Sequence, residues 1–300
     1  MFSPPRRKTG RVIGLAIVPA LLAGIGPATA APVFTGPTSA YYLDAYGSSH
    51  STIYVVQGAS VIRSFTTSYG SSPYAEGNLA VSNVVTTNGF GSGNGSLGTA
   101  GQYSLTGTPT GVSHVAQATP TYTNEQTFDG TSDGTHNYTV QFTATQGGGA
   151  VIQTGANWQN PAVLFSVAGY GSYLGIAYDA RNNSLWFSGY NVTTIADYSL
   201  SGRLLSSFDT GQSNMTALGY DAADDTLWFS SGTGSTLNQF STAGGLLQQG
   251  TPSGLPAGTF YAGDFATVAT GSTPAPEPAS MLVLGAGLAG LGLVRRRRAL

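Results

Sequence analysis

Two stretches of this chain are copies of one another. Leu174-Gly175-Ile176-Ala177-Tyr178-Asp179 is followed by Ser184-Leu185-Trp186-Phe187-Ser188, Tyr198-Ser199, Gly202 and Leu204-Leu205. Ala217-Leu218-Gly219-Tyr220-Asp221 is followed in the same order by Thr226-Leu227-Trp228-Phe229-Ser230, Phe240-Ser241, Gly244 and Leu246-Leu247. Tyr178 and Tyr220, Trp186 and Trp228, and Gly202 and Gly244 are each 42 residues apart. A fixed offset of this kind marks a duplication, and a unit of this size buries its apolar face only by stacking on its neighbours. Each copy holds four short β-rich runs, with Asp/Asn clusters between the first two that supply hairpin-turn chemistry. Four strands in 42 residues is the period of a propeller blade.

Weaker copies lie upstream. Ser51 to Val56 with Val61 to Phe65 reads as the later strands of one blade. Asn78 to Val81 with Tyr103 to Gly107 matches the Leu-Trp-Phe and Tyr-Ser-Leu-Ser-Gly pieces of another, and Tyr138 to Val140, Ala150 to Ile152 and Val163 to Phe165 supply a third. Thr259 to Thr267 offers one more strand, placed to complete the blade that begins near Ser39 and so close the ring. The expectation is an all-β propeller of about five to six four-stranded blades over residues 31–270. A five-bladed closure, or a sandwich followed by a partial propeller, also accounts for the irregular N-terminal half. Asn88 to Gly101, rich in Gly, Ser, Thr and Asn, reads as a long hairpin loop. Across Ser39 to Thr267 the pattern resembles NHL-type and lactonase-like six-bladed propellers. The lactonase-like resemblance implies a divalent ion held in the central channel by Glu, Asn and Asp side chains from different blades.

The two ends read as addresses. Residues 1–30 combine a basic stretch through Arg11, an apolar run from Val12 to Gly26, and the small residues Ala28 and Ala30 before Ala31. This is the pattern of a secretory signal peptide cut by signal peptidase before Ala31. Residues 271–278 form a Pro-rich linker ending in Pro276-Glu277-Pro278. Residues 279–300 follow with an uncharged, helix-capable run to Val294 and then Arg295, Arg296, Arg297 and Arg298. Sixteen helical residues span about 24 Å, close to a bilayer core, and the arginines would hold the far end in the cytoplasm. Pro-Glu-Pro, apolar run and arginine cluster together resemble the PEP-CTERM sorting signal. That resemblance implies recognition by an exosortase and removal of the tail, so the precursor is membrane-anchored and the product stands at the cell surface or outside it. Tails of this kind also carry an ice-binding label, but the scattered Thr pairs here, such as Thr66-Thr67 and Thr193-Thr194, make no flat array.

Charge and residue type narrow the chemistry. The formal net charge of −2 conceals a body, Ala31 to Thr273, in which only Arg63, Arg181 and Arg203 oppose twelve carboxylates, a net of −9. That disfavours nucleic acid, whose binding needs cations on phosphates. The absence of Cys excludes disulfides, thiolate metal sites and a Cys nucleophile. His50, His114 and His136 are widely spaced and fit no catalytic or metal motif. Asp179, Asp221 and Asp264 each follow the first apolar run of a unit and are the acids that a channel metal would use; the competing reading makes them turn caps. Asp129 to Gly134, with Asp129 and Asp133, has oxygens at loop spacing but lacks the closing Glu of a calcium loop. Trp186, Trp228, Phe187 and Phe229 read as core between blades. Tyr41, Tyr42, Tyr170, Tyr173, Tyr190 and Tyr261 lie nearer turns, where exposed rings would stack on sugars. The favoured expectation is a non-catalytic binding or matrix component with exopolysaccharide or surface proteins as partners, no cofactor, and calcium as the weak exception. The alternatives are a metal-dependent hydrolase and, further off, an ice-binding adhesin.

Overall fold

The computed structural model of the chain describes residues 33–45, 47, 50–70, 76–89, 98–115, 126–142, 150–166, 173–189, 191–231 and 234–266. These form five four-stranded antiparallel sheets. The first blade takes β1 (Tyr41–Ala45), β2 (Thr52–Gln57) and β3 (Ser60–Thr66). The second is β4 (Glu76–Val81), β5 (Val84–Gly89), β6 (Thr99–Ser104) and β7 (Pro109–Val115). The third is β8 (Gln126–Ser132), β9 (His136–Phe142), β10 (Ala150–Gly155) and β11 (Ala162–Ser166). The duplicated units are the fourth blade, β12 (Tyr173–Asp179) to β15 (Leu204–Asp209) through β13 (Ser184–Gly189) and β14 (Thr194–Ser199), and the fifth. The fifth runs through β16 (Met215–Asp221), β17 (Thr226–Ser231), β18 (Leu237–Ser241) and β19 (Leu246–Gly250). Finally β20 (Phe260–Phe265) returns to pair with β1, Tyr41 opposite Phe265, and becomes the innermost strand of the first blade. The ring has five blades, and its last strand closes it as expected from Thr259 to Thr267.

Two upstream assignments need correction. Asn78 to Val81 lies in β4, an innermost strand, and not at the position of the Leu-Trp-Phe strands; that position belongs to β5, whose Val-Val-Thr-Thr-Asn-Gly lacks the aromatic pair. Asp129 to Ser132 belongs to β8 and not to a loop; a register shift between Phe128 and Thr131 and a positive φ at Asp129 hid the strand period. Of the expected Asn88 to Gly101 loop, Asn88 and Gly89 end β5 and Thr99 to Gly101 open β6.

The blades pack through four apolar clusters. Leu79, Val81 and Tyr103 meet Tyr42, Ile53 and Val55 between blades one and two. Tyr173, Ile176 and Phe187 meet Tyr138 and Val151 between three and four. Trp186 and Ile195 meet Leu218 and Phe229 between four and five, and Trp228 and Ala217 meet Tyr41 and Phe265 between five and one. The repeated Trp186, Trp228, Phe187 and Phe229 are all buried, as read. The seam between blades two and three is instead polar. There Asn78 donates to the hydroxyls of Thr127 (2.7 Å) and Thr139 (3.4 Å), and Asn137 donates to Thr86 (3.1 Å).

A second device repeats between blades. The turn joining the third and fourth strands carries a glycine at positive φ, and an outer-strand phenylalanine of the preceding blade lies against it: Phe65 on Gly107, Phe165 on Gly202 and Phe208 on Gly244. At Gly244, φ is +90° and a Cβ would sit 2.6 Å from the Phe208 Cβ. Strained backbone and overpacking then add, so Gly244→Ala is expected to lower stability by about 3 kcal/mol. Urea unfolding of Gly244→Ala against Gly211→Ala, a positive-φ glycine with nothing within 4 Å, separates the contact from the φ cost.

The first blade is also tied to the fifth by the segment ahead of β1. The N–H groups of Thr35 and Gly36 donate to Gln248 (2.7 and 3.3 Å), and Phe34 sits edge-on to Trp228 at 6.3 Å.

The central channel as candidate functional site

Innermost strands in a propeller leave one edge of N–H and C=O groups turned to the axis, and buried groups of that kind need partners. All five innermost strands here carry a register shift against the second strand: at Glu76/Asn78, Phe128/Thr131, Tyr173/Gly175 and Thr216/Gly219, and opposite Asp44/Ala45 for β20. Such bulges turn backbone groups away from the ladder. At two of them a non-glycine residue adopts positive φ, Asp129 at 53° and Ala217 at 52°.

The redirected N–H groups converge on two carboxylates. Asp129 Oδ1 accepts from Gly130 (2.9 Å) and Gly263 (2.8 Å), and its Oδ2 accepts from Ile176 (3.1 Å) and Leu218 (2.8 Å). Asp264 Oδ2 accepts from Val81 N–H at 2.8 Å, and its Oδ1 accepts from the Thr131 hydroxyl and the Phe265 N–H, both at 3.0 Å. Thr131 in turn accepts from Tyr178 N–H at 3.0 Å. Through these bonds β4, β8, β12, β16 and β20 are all joined. Burial pushes both carboxyls well above the usual range, and the amides oppose it by favouring the charged form. Beside them Tyr41, stacked on Phe265 at 4.4 Å, donates its hydroxyl to the Ala217 carbonyl. Its ring fits because Gly219 has no side chain: a Cβ there would lie 2.7 Å from it.

The acids expected to converge on a channel metal belong to three separate bonding sets. Asp264 lies in the channel. Asp179 and Asp221 sit at the far ends of β12 and β16, where they cap turns. Asp179 Oδ1 accepts from Arg181 and Asn182 N–H (2.8 and 3.2 Å), and its Oδ2 accepts from the Asn182 side chain at 2.9 Å. Asp221 accepts from Ala223 N–H (3.1 Å) and from the N–H and hydroxyl of Ser39 (2.9 and 2.6 Å), so it also holds the segment ahead of β1. Among the described residues no three of His, Asp and Glu are grouped so as to hold a metal ion.

Asp133 is likewise a turn residue. It accepts from the N–H groups of Thr135 and His136 (2.7 and 2.6 Å) and from the Tyr138 hydroxyl (2.6 Å). Burial raises its carboxyl, but the bond from Tyr138 and those from His136 and Thr135 outweigh that and hold it below the usual range. Tyr41, Tyr42 and Tyr173 are buried and so present no ring to a sugar; Tyr170 and Tyr190 lie outside the described residues. So do Ala28, Ala30 and Ala31, Pro276 to Pro278 and Arg295 to Arg298.

Three buried acids escaped the sequence reading, because each interrupts a strand without any motif. Glu76 takes the N–H groups of Tyr69 and Gly70 (2.8 and 2.9 Å) and the hydroxyls of Tyr103 and Thr87. Asp44 is buried with one oxygen unpartnered, and burial, reinforced by the Glu76 charge, pushes it well up. Asp197 is pushed up to about 6 by burial and by the Asp179 charge. A folded-state value above the unfolded one means stability that is present below about pH 4 and lost as pH rises through about 6. Asp197→Asn is therefore expected to be the more stable form at pH 7.5, by about 1 kcal/mol after allowing for solvent screening. At pH 4 the advantage should vanish, which urea titrations at the two pH values would show.

The fold defined by these contacts is a closed five-bladed propeller whose axis is filled by its own carboxylates. The end of the chain places it more narrowly: residues 274–298 match the PEP-CTERM protein-sorting motif, which implies an exported protein processed by exosortase. No curated protein matches the chain in sequence. Among solved structures, a chain of a nidogen/laminin complex aligns with a TM-score of 0.50 and 12% identity over 76% of this chain and 98% of that one. A protein of unknown function from Bacteroides thetaiotaomicron VPI-5482 aligns at 0.49 and 12% over 76% of this chain and 65% of that one. Another, from Bacteroides caccae, aligns at 0.42 and 9% over 71% and 73%. At these identities the nidogen/laminin likeness speaks to the fold alone.

Proposed function

We propose that this chain is a non-catalytic propeller exported with a signal peptide, held by its tail in the membrane, and then sorted to the cell surface or the extracellular matrix. There it binds exopolysaccharide or another surface protein. The observation that supports this most is the state of the channel acids. Both oxygens of Asp129 each take two backbone N–H donors, so a cation or substrate there would have to displace the bonds that join the blades. The acidic, cysteine-free body fits an extracellular component better than a nucleic-acid or thiol chemistry.

The test is co-sedimentation of the mature chain with the producing strain's exopolysaccharide and with its surface-protein fraction. Saturable binding to either supports the reading. Binding to neither, or hydrolysis of a lactone or phosphoester panel that is lost with EDTA, overturns it.

A further inference from the structure

The outer strand of each blade is the one left with an open edge, and in this ring its composition changes along its length. β15 reads Leu204-Leu205-Ser206-Ser207, and β19 reads Leu246-Leu247-Gln248-Gln249. β3 reads Val61-Ile62-Arg63-Ser64, and β11 reads Ala162-Val163 before ending at Ser166. Leu204, Leu246 and Ile62 are about half exposed, at 50, 52 and 50%, with Leu247 at 47% and Val163 at 36%. Single exposed aliphatics are ordinary on a protein surface. Here they recur at or near the start of the outer strand in four of five blades, with polar residues following them. In the second blade β7 departs from the pattern, with Val112 and Val115 further along.

The topology says which end this is. Each outer strand starts at the turn leaving the third strand. Those turns lie at the end of the ring where the innermost strands finish, and therefore where Phe265 hands the chain on to its tail. Residues 267–278 separate the ring from the apolar run, a tether of at most about 40 Å when fully extended. The body's only cations, Arg63, Arg181 and Arg203, stand at the same end, with Arg181 paired to Asp225 at 3.1 Å. The rim is thus aliphatic and carries both signs of charge.

We propose that this rim rests on the lipid headgroup surface of the bilayer that holds the tail, with Ile62, Val163, Leu204, Leu205, Leu246 and Leu247 as the contacting side chains. Apolar side chains entering the interface strengthen attachment in proportion to the area buried. The opposite end of the ring then faces outward. This rests on the reading that the tail is anchored.

The experiment uses the chain from Ala31 to Leu300 in phosphatidylcholine vesicles. The protein has no cysteine, so single labels at Ala243→Cys, on the rim side, and Ser213→Cys, just before β16 at the end where the innermost strands start, can be compared under quenching by lipid-borne spin labels. The label at 243 should be quenched and that at 213 not. Leu204→Ser/Leu205→Ser/Leu246→Ser/Leu247→Ser should reduce quenching at 243 at least about threefold while carbonate-resistant retention is unchanged. Should that variant fail to fold by near-ultraviolet circular dichroism, Leu246→Ser/Leu247→Ser replaces it. Equal quenching in the variant, no quenching at 243 in the parent, or a lipid-free dimer cross-linked through Leu246→Cys overturns the proposal. If carbonate extracts the chain, the anchoring reading has failed. Flotation of the ring with the same vesicles then decides the rim alone, support if it floats and rejection if it does not.

Discussion

A chain ending at Thr259 will not form a cooperative fold, whereas one ending at Ala266 will. The difference is β20. Without it the first blade loses its innermost strand, and Phe260 and Phe265 leave the cluster shared by blades five and one. The channel loses Asp264 and the Gly263 N–H that Asp129 accepts. Burial of two phenylalanines alone is worth about 2–3 kcal/mol each, and an open ring also exposes two strand edges. The total is comparable with the whole stability of an ordinary domain, about 5–15 kcal/mol. Urea unfolding followed by near-ultraviolet circular dichroism should show a single transition for the longer chain and none for the shorter. Adding a peptide of residues 260–266 should restore signal to the shorter chain, because what it lacks is one strand. Cooperative unfolding of the shorter chain alone would show that ring closure does not hold the blades together.

Asp129→Asn should cost about 3 kcal/mol, an unusually large effect for so small a change. Asparagine tolerates the positive φ that residue 129 adopts, so backbone strain is not added. Its remaining oxygen can serve one pair of N–H groups. Its amide nitrogen then confronts the other pair, donor against donor, at a site that is fully buried. Each unpaired buried donor costs about 1–3 kcal/mol. Asp129→Ala should be worse, since all the donors lose their acceptor and alanine is strained at φ 53°. Asp133→Asn is the control, with loss confined to a partly exposed turn. Equal midpoints for Asp129→Asn and the parent in urea would remove Asp129 from the account.

How much of this was legible depends on which residues repeat. The fourth and fifth blades could be read strand by strand because Leu-Trp-Phe and Tyr/Phe-Ser recur at 42 residues, and the same side chains pack the seams on either side. Closure by the last strand was legible because a lone strand at the end of a ring must find a partner. The third blade's innermost strand was not, since the bulge that aims Asp129 inward also breaks the two-residue alternation by which strands are recognised. The polar seam between blades two and three erased the aromatic signature of β5 for a similar reason: Thr86 serves a hydrogen bond where blades four and five use a ring.

The channel acids were legible only as candidates. Asp264 follows an apolar run just as Asp179 and Asp221 do, yet one faces the axis and two cap turns. Strand position relative to the bulge decides between them, and no sequence distance encodes it.

Hydrogen exchange at the backbone amides of Ile176, Leu218, Gly263 and Val81 tests the filled channel most directly. If the two carboxylates hold these groups, all four amides should exchange only through global unfolding, with the same free energy and the same urea dependence as the whole ring. Exchange at the rate of an exposed strand edge would mean an open, water-filled channel with its acids free, and would contradict the account.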